Sequence, residues 1–366
     1  MGAPLDYGLI GFEAMKELIH KAKCMECYRT NNGIVTVVFK ENDKARYNQV
    51  YKAIHNAADK MRLLEDSGFT PKLLRERDTS IMQEDLGNKD DEGVDGWTVE
   101  DWIDFRRALI RCLIILRQKH IRNGDLNGNS NIWIRDKKPY FIDWWDSHFT
   151  WEKPPQKGGA GMTDAYWVFM SLINWSKNYN LSDANRCSRR WGPIHGNLVG
   201  TFNCSLPMEG KTLLDVGCFQ GDFSAWAAAE MMIVTGIDTG EFRSGEDSID
   251  IAKTIWEGIP NLNFMKANVM DWPNFNYDVI LFMDTYSHLV KYLGKEAPTK
   301  LLNRMVNKAG CVFFETQMDG DRTGVEWLKT PEDIFALVPG AEFKEIVTLP
   351  EHGIPRTLWK ITKEAN

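Results

Sequence analysis

From Thr212 onward the chain alternates short apolar runs with helical patterns: TLLDVG, FSAWAAAEM, VTGID, SIDIAKTIWEG, FMKANV and YDVILFMD, then a further helix and CVFFET. The apolar runs are too short for helices, and TLLDVG, VTGID and YDVILFMD end on Gly or Asp. The stretches between them place apolar residues at helical spacing. Parallel neighbouring strands cannot be joined by a tight turn and need a crossover, usually a helix. The alternation therefore predicts an α/β doubly wound, Rossmann-like unit with a parallel sheet, its ligand edge at the carboxyl ends of the strands.

The preceding residues follow another rule. MECYRT and IVTVVFK flank Asn31-Asn32-Gly33, a hairpin-turn signal. Residues 45–66 carry helical spacing that stops at Ser67-Gly68, and TSIMQEDLG at 79–87 reads as a strand before an acidic loop. From Thr98 a helical pattern runs to His120, with Thr98 and Asp101 as an approximate capping pair. A hairpin over 121–146, the Pro/Gly-rich WEKPPQKGGAGM and a buried helix over 164–175 follow. Residues 192–211 show no sustained periodicity, which sets the expected boundary between an α+β domain at 1–195 and an α/β domain at 196–366.

Composition narrows the classes. A chain of 366 residues with 43% hydrophobic and 26% charged residues can fill two cores and is not a disordered polymer. The net charge of -7, without a basic block, argues against nucleic acid as a partner. Seven scattered Cys point to free thiols in a reducing compartment, and the lone Cys24-x-x-Cys27 to buried thiols rather than a metal site. The first residues lack a signal-peptide pattern, Asp6 stands where a myristoylation signal wants Ser or Thr, and ALIRCLIIL is too short to span a bilayer. The expectation is a cytoplasmic protein with no integral membrane segment.

Residues 120–146, HIRNGDLNGNSNIWIRDKKPYFIDWWD, carry the elements of phosphoryl transfer. That chemistry needs a carboxylate near the acceptor hydroxyl, metal ligands on the phosphates and a cation on the nucleotide. A hairpin would bring Asp125, Asn131 and Asp143 to one edge, as oxygen ligands for a hard cation such as Mg2+. The segment resembles the aminoglycoside-phosphotransferase type of small-molecule kinase, which has a protein-kinase-like fold. The resemblance implies Asp125 as catalytic base, Asn131 and Asp143 as magnesium ligands, and Lys40 on the ATP phosphates. It also implies Gln83, Glu84 and Leu86 as the hinge beside adenine, and Asp164 as a brace. Asn123 departs from the family's usual His, and the loop is one residue longer, which makes Asn129 a rival ligand. No Gly-rich loop precedes Lys40, and no Glu falls at the position of its expected partner; Asp59 and Glu65 are the substitutes at hand.

Residues 213–224, LLDVGCFQGDFS, set an apolar strand before D-x-G-x-x-x-G and a helix after it. Gly217 permits close backbone approach to a ligand and Gly221 a tight entry into the helix. The spacing is not that of a dinucleotide fingerprint. The segment resembles motif I of class I S-adenosylmethionine (SAM) methyltransferases. That resemblance implies Asp215, Gly217, Cys218 and Gly221 along the methionine end, Asp238 on the ribose, and Asn268 near adenine with Asp271 competing. The alternative is another doubly wound fold with a glycine turn. His288, after the fourth strand of this unit, is a candidate base or substrate contact, or a structural residue. Arg243, Lys291, Arg322 and Arg356 are candidate clamps for an anionic acceptor, or solvated surface. Trp102, Trp167 and Trp175 read as core, and Trp144 and Trp145 as pocket wall.

The pairing resembles the O-antigen chain-terminating kinase–methyltransferases, which phosphorylate a polysaccharide end and then methylate that phosphate, with the domain order reversed. It implies a bifunctional transferase: ATP–Mg2+ phosphorylates a hydroxyl of a glycan or small molecule, and SAM methylates the phosphate or a nearby group. Fusion would raise the local concentration of a shared intermediate. Two other readings stand beside it. The kinase-like half could be a catalytically inactive substrate-binding module, or the two halves could act on unrelated metabolites.

Overall fold

The computed structural model describes residues 15–22, 24–38, 44–87, 96–123, 132–142, 144, 147–149, 189–198, 208–241, 247–317, 325, 327–351 and 354–364. The chain divides into two compact units, residues 1–101 with 118–158, and residues 102–117 with 159–366. This differs from a single cut at residue 195, because part of a helix expected in the first domain groups with the second unit.

In the first unit, β1 (Met15–Ala22), β2 (Met25–Thr30), β3 (Ile34–Val38), β4 (Leu73–Arg77) and β5 (Ser80–Gln83) form an antiparallel sheet in the order β1-β2-β3-β5-β4. β1 and β4 add to the three strands read from the sequence. Helix α1 (Lys44–Leu63) joins β3 to β4 and buries Val50, Ile54, Ala57, Ala58 and Met61 along one stripe. It gives way to a 3-10 turn at Glu65–Ser67 that ends at Gly68 with φ 75°, the left-handed stop expected there.

Helix α2 (Val99–Gln118) starts at a reciprocal cap: Thr98 Oγ1 accepts from Asp101 N at 3.2 Å, and Asp101 Oδ2 accepts from Thr98 N at 2.9 Å. β6 (Ile121–Asn123) pairs with β9 (Ser147–Phe149), and β7 (Ile132–Arg135) with β8 (Lys138–Phe141). The second hairpin is tied to the loop before β4, since Phe141 N donates to Phe69 O at 2.6 Å and Trp144 Nε1 to Thr70 Oγ1 at 2.8 Å.

The second unit is built on seven strands: β10 (Thr212–Val216), β11 (Ile233–Asp238), β12 (Leu262–Lys266), β13 (Val279–Met283), β14 (Cys311–Gln317), β15 (Ala341–Glu351) and β16 (Ile354–Lys363), in the order β12-β11-β10-β13-β14-β16-β15. The first five are parallel, as the alternation requires. β16 runs antiparallel to both β14 and β15, so the sheet is mixed and not parallel throughout. This terminal hairpin and the short helix Pro331–Phe335 extend the fold beyond the predicted strands.

A further helix, α3 (residues 189–198), runs into the stretch 192–211 read as the domain boundary. It buries Trp191, Ile194, His195 and Leu198, an i, i+3, i+4, i+7 face. Helices α4 (Asp222–Ala229), α5 (Ser248–Ile255), α6 (Thr285–Leu293) and α7 (Glu296–Lys308) cover the sheet. Trp191 packs on Trp226 of α4 with ring centroids 6.1 Å apart.

The body of α2 is fixed to this unit by arginines. Arg107 donates to the carbonyls of Thr254 and Ile255, and Arg111 to that of Glu257 at 2.9 Å, so both cap the carboxyl end of α5. Such carbonyls carry the negative end of the helix dipole and lack intrahelical donors. Arg117 Nη2 reaches Glu230 Oε1 at 3.2 Å, and His195 Nε2 stands 3.5 Å from the other carboxylate oxygen; all three side chains are buried.

Candidate active site

The parallel strands deliver their carboxyl ends to one edge, and there the residues of the glycine motif assemble. β10 ends at Val216, and the chain turns through Gly217 with φ 72°. Gly217 N and Cys218 N donate to Ile237 O at 2.8 and 3.1 Å, which pins the loop to the neighbouring strand. A Cβ at Gly217 would land on the Thr285 hydroxyl, and one at Gly221, with φ 79°, on the Phe264 ring. Both glycines are therefore required by close approach and by left-handed backbone. Their reason is packing around the loop, in addition to room for a ligand.

Asp238 ends β11 beside this loop. Its Oδ2 accepts from Phe219 N at 3.2 Å, and its Oδ1 from Gly240 N at 3.0 Å and Ser248 Oγ at 3.2 Å. Asp215 is buried at the end of β10, where its Oδ2 accepts from Ser224 Oγ at 2.6 Å. Burial pushes the Asp215 carboxyl up to about 7, with the charges of Asp238 and Asp222 adding and the Ser224 hydrogen bond opposing. Cys218 is buried too, and burial raises its thiol well above the ordinary range, so it lines the loop as an apolar group and not as a nucleophile. Asn268 is exposed just beyond β12, where its Oδ1 accepts from Met270 N at 3.0 Å as a turn cap. The structure thus brings Asp215, Gly217, Cys218, Gly221 and Asp238 together, with Asn268 at the end of the next strand. Asp271 is exposed in the same turn.

The donor set fits a ligand of the SAM type. A carboxylate closes the second strand, where a ribose diol can donate to it. A glycine turn closes the first strand, and a buried carboxyl stands behind that turn, suited to a cationic ligand.

On the other side of β10, Asp284 follows β13 with φ 55°, and Thr285 Oγ1 donates to Val216 O at 3.1 Å, locking this turn against the glycine loop. Arg356 Nη1 approaches Asp284 Oδ2 at 2.7 Å, and Arg190 holds Glu315 of β14 through two bonds of 2.6 and 2.8 Å. Arg356, a candidate anion clamp, is therefore buried in ion pairs rather than solvated. Lys291 is exposed and stands 5.9 Å from the Tyr292 ring centroid. His288 is exposed on α6; Arg243 and Arg322 lie outside the described residues.

Sequence reasoning missed Asp284, Glu315 and Arg190. Asp284 had a signal, a carboxylate directly after the strand YDVILFM, whereas nothing local marks Arg190.

Of the phosphoryl-transfer residues, Lys40, Asp125, Asn129, Asn131, Asp143 and Asp164 lie outside the described residues, as do Trp145, Trp167 and Trp175. The hairpin register sets Ile132 opposite Phe141, and in sequence this hairpin lies between Asn131 and Asp143. Gln83 ends β5, Glu84 N donates to Lys72 O at 2.9 Å, and Leu86 is buried. Asp59 pairs with Arg62 at 2.7 Å on the surface of α1, and Glu65 sits in the turn after that helix. Trp102 and Trp144 are buried, as expected for core or pocket wall. The Cys24 thiol is buried, and Cys27 Sγ lies 3.3 Å from Thr36 Oγ1. No described helix is long and apolar enough to cross a membrane.

No protein-family model matches the chain. A ubiquinone biosynthesis O-methyltransferase of Vibrio atlanticus (strain LGP32) is 25% identical over 134 residues, which are 36% of this chain and 53% of that enzyme. The chain thus spans about half the length of this relative. Among solved structures, the bifunctional kinase-methyltransferase WbdD is 21% identical with a TM-score of 0.40, covering 48% of this chain and 39% of that one. A magnesium protoporphyrin IX methyltransferase from Synechocystis PCC 6803 with bound SAM is 15% identical with a TM-score of 0.36, covering 46% and 74%.

Proposed function

We propose that the second unit is a SAM-dependent methyltransferase. The observation that carries this is the joint placement of the Gly217 turn and the Asp238 carboxylate at the carboxyl edge of adjacent parallel strands β10 and β11. The O-methyltransferase from Vibrio supports an oxygen acceptor. Bound SAM supplies an electrophilic methyl group on a cationic sulfonium. The chain's own part is to hold the ribose through Asp238, to set Asp215 behind the loop as a carboxyl that ionises when a cation binds, and to exclude water behind Phe264 and Cys218. Asp284, fixed by Arg356, faces the acceptor side and orients it.

For the first unit the reading is an ATP–Mg2+ kinase acting on a hydroxyl of a glycan or small molecule, with Asp125 as base and Asn131 and Asp143 as metal ligands. Its support is the antiparallel sheet with one helix between β3 and β4, followed by a long helix and the β7–β8 hairpin next to the Asp125 segment. The methyl acceptor is then the new phosphate or a neighbouring oxygen.

Methyl incorporation from labelled SAM into a glycan and metabolite pool, with and without ATP–Mg2+, tests both parts. Wild type and Asp125→Ala are compared, with SAM binding measured separately. Methylation that needs ATP and Asp125 is expected. Methylation indifferent to both would leave the first unit as a binding module or an independent enzyme, and no SAM binding would remove the methyltransferase reading.

A further inference from the structure

We infer that Arg106 of α2 is a positioning residue for the glycine loop that receives SAM. The inference rests on the SAM reading of that loop. Arg106 lies in the part of α2 that belongs to the second unit and is buried there. Its guanidinium forms an ion pair with Asp222, which is also buried and is the first residue of α4, directly after Gly221. The same guanidinium lies over the indole of Trp256, 5.0 Å from the ring centroid. Trp256 Nε1 in turn donates to Gln220 O at 2.8 Å. One cation therefore fixes the residues on both sides of Gly221, one through its carboxylate and the other through a stacked indole.

The loop needs such a brace. Phe219, Gly217 and Gly221 all have φ between 51° and 79°, a run of left-handed backbone that a non-glycine residue adopts at a cost. Its hydrogen bonds to β11 hold only its first half, Gly217 to Phe219. Within the loop Gly221 N donates to Cys218 O at 2.8 Å, and Arg106 adds a restraint on the second half from outside the loop. The other arginines of α2 do different work: Arg107 and Arg111 bond the backbone carbonyls of Thr254, Ile255 and Glu257, on either side of Trp256, and make no bond to the loop itself. A buried Arg–Asp pair stacked on an aromatic ring is geometrically exacting, because the guanidinium plane must satisfy both partners at once.

The test is calorimetric titration of the full-length protein with SAM and with S-adenosylhomocysteine. Arg106→Ala is expected to weaken binding of both at least tenfold, and Arg106→Lys to recover part of the loss through the retained charge. Arg111→Ala removes only the bond to the Glu257 carbonyl and leaves the Arg106 guanidinium on Asp222 and Trp256, so it is expected to stay within about twofold of wild type. Trp256→Phe keeps a ring under the guanidinium but removes the indole donor to Gln220 and leaves a small void, and is expected to weaken binding three- to tenfold. If Arg106→Ala does not fold, Arg106→Lys and Trp256→Phe decide the matter. Equal weakening by Arg106→Ala and Arg111→Ala, or wild-type affinity in Trp256→Phe and Arg106→Lys together, would overturn the inference alone. A wild-type protein that binds neither compound would remove the SAM reading and this inference with it.

Discussion

Arg356 Nη1 stands 2.7 Å from Asp284 Oδ2 and 3.9 Å from Glu315 Oε1, so an arginine on the last strand sits between two carboxylates at the carboxyl edge of the sheet. Asp284 keeps 32% of its side chain exposed and Glu315 keeps its two bonds to Arg190, so losing Arg356 strands neither carboxylate completely. Arg356→Met is expected to cost about 2–3 kcal/mol, below the roughly 3–5 kcal/mol of a fully buried pair, read from the urea midpoint. A loss under about 1 kcal/mol would show that the carboxylates are satisfied without it.

Asp284→Asn keeps the shape of the turn and removes its charge. Methyl transfer is expected to slow tenfold or more while SAM affinity holds within about threefold, a split read from single-turnover rates beside calorimetry. Parallel losses in both would make Asp284 a structural support of the loop.

Gly217 and Gly210 both have positive φ, but only at Gly217 would a Cβ meet another side chain, that of Thr285. Gly210→Ala should cost about 1–2 kcal/mol, the left-handed penalty alone. Gly217→Ala should cost more and abolish measurable SAM binding. Thermal melts of both variants check the order, and a reversed order would refute the steric account.

The Asp215 carboxyl titrates near 7 in the fold, against an ordinary value of 3.8. Between these limits the folded state keeps a proton that the unfolded chain has released. The contribution of Asp215 is therefore fully present below about pH 4 and declines as pH rises through about 7. Asp215→Asn should show a smaller fall in urea midpoint from pH 5 to pH 8 than wild type. Because a cationic ligand favours the ionised carboxylate, SAM binding near pH 6.5 should release protons, seen as buffer-dependent heats. Identical pH profiles for the two proteins would exclude the linkage.

Arg117, Glu230 and His195 form a second buried group, 1%, 1% and 2% exposed at their side chains. Arg117→Met alone is expected to destabilise by about 3–5 kcal/mol, and Arg117→Met with Glu230→Leu by clearly less, since no charge is then stranded. Additive losses in thermal unfolding would argue against an ionic cluster.

The parallel strands were legible because they are compact apolar runs alternating with helical patterns, three of them closed by Gly217, Asp238 and Asp284, and the glycine motif because φ demands leave few residue choices. The β15–β16 hairpin was not, since AEFKEIVTLPE and IPRTLWKITK mix charges into strands at the sheet edge. Helix α3 has its apolar face at helical spacing, but Gly192, Pro193 and Gly196 dilute the signal. The brace at Arg106 was illegible for a different reason. A charged residue on a largely apolar helix is buried only with a partner, and no spacing rule points from Arg106 to Asp222. The same holds for Arg190 and Glu315, whose pairing exists only in the folded sheet.

Helix α2 also dictates an order of events during synthesis. Arg106 leaves the ribosome 116 residues before Asp222, the carboxylate it binds. At ordinary elongation rates that is a wait on the order of ten seconds. For that interval the buried face of the helix waits for the partners that cover it in the folded unit. The two halves are thus interleaved in time as well as in sequence, and a fragment beginning after α2 would leave Asp222 and Glu230 without their arginines.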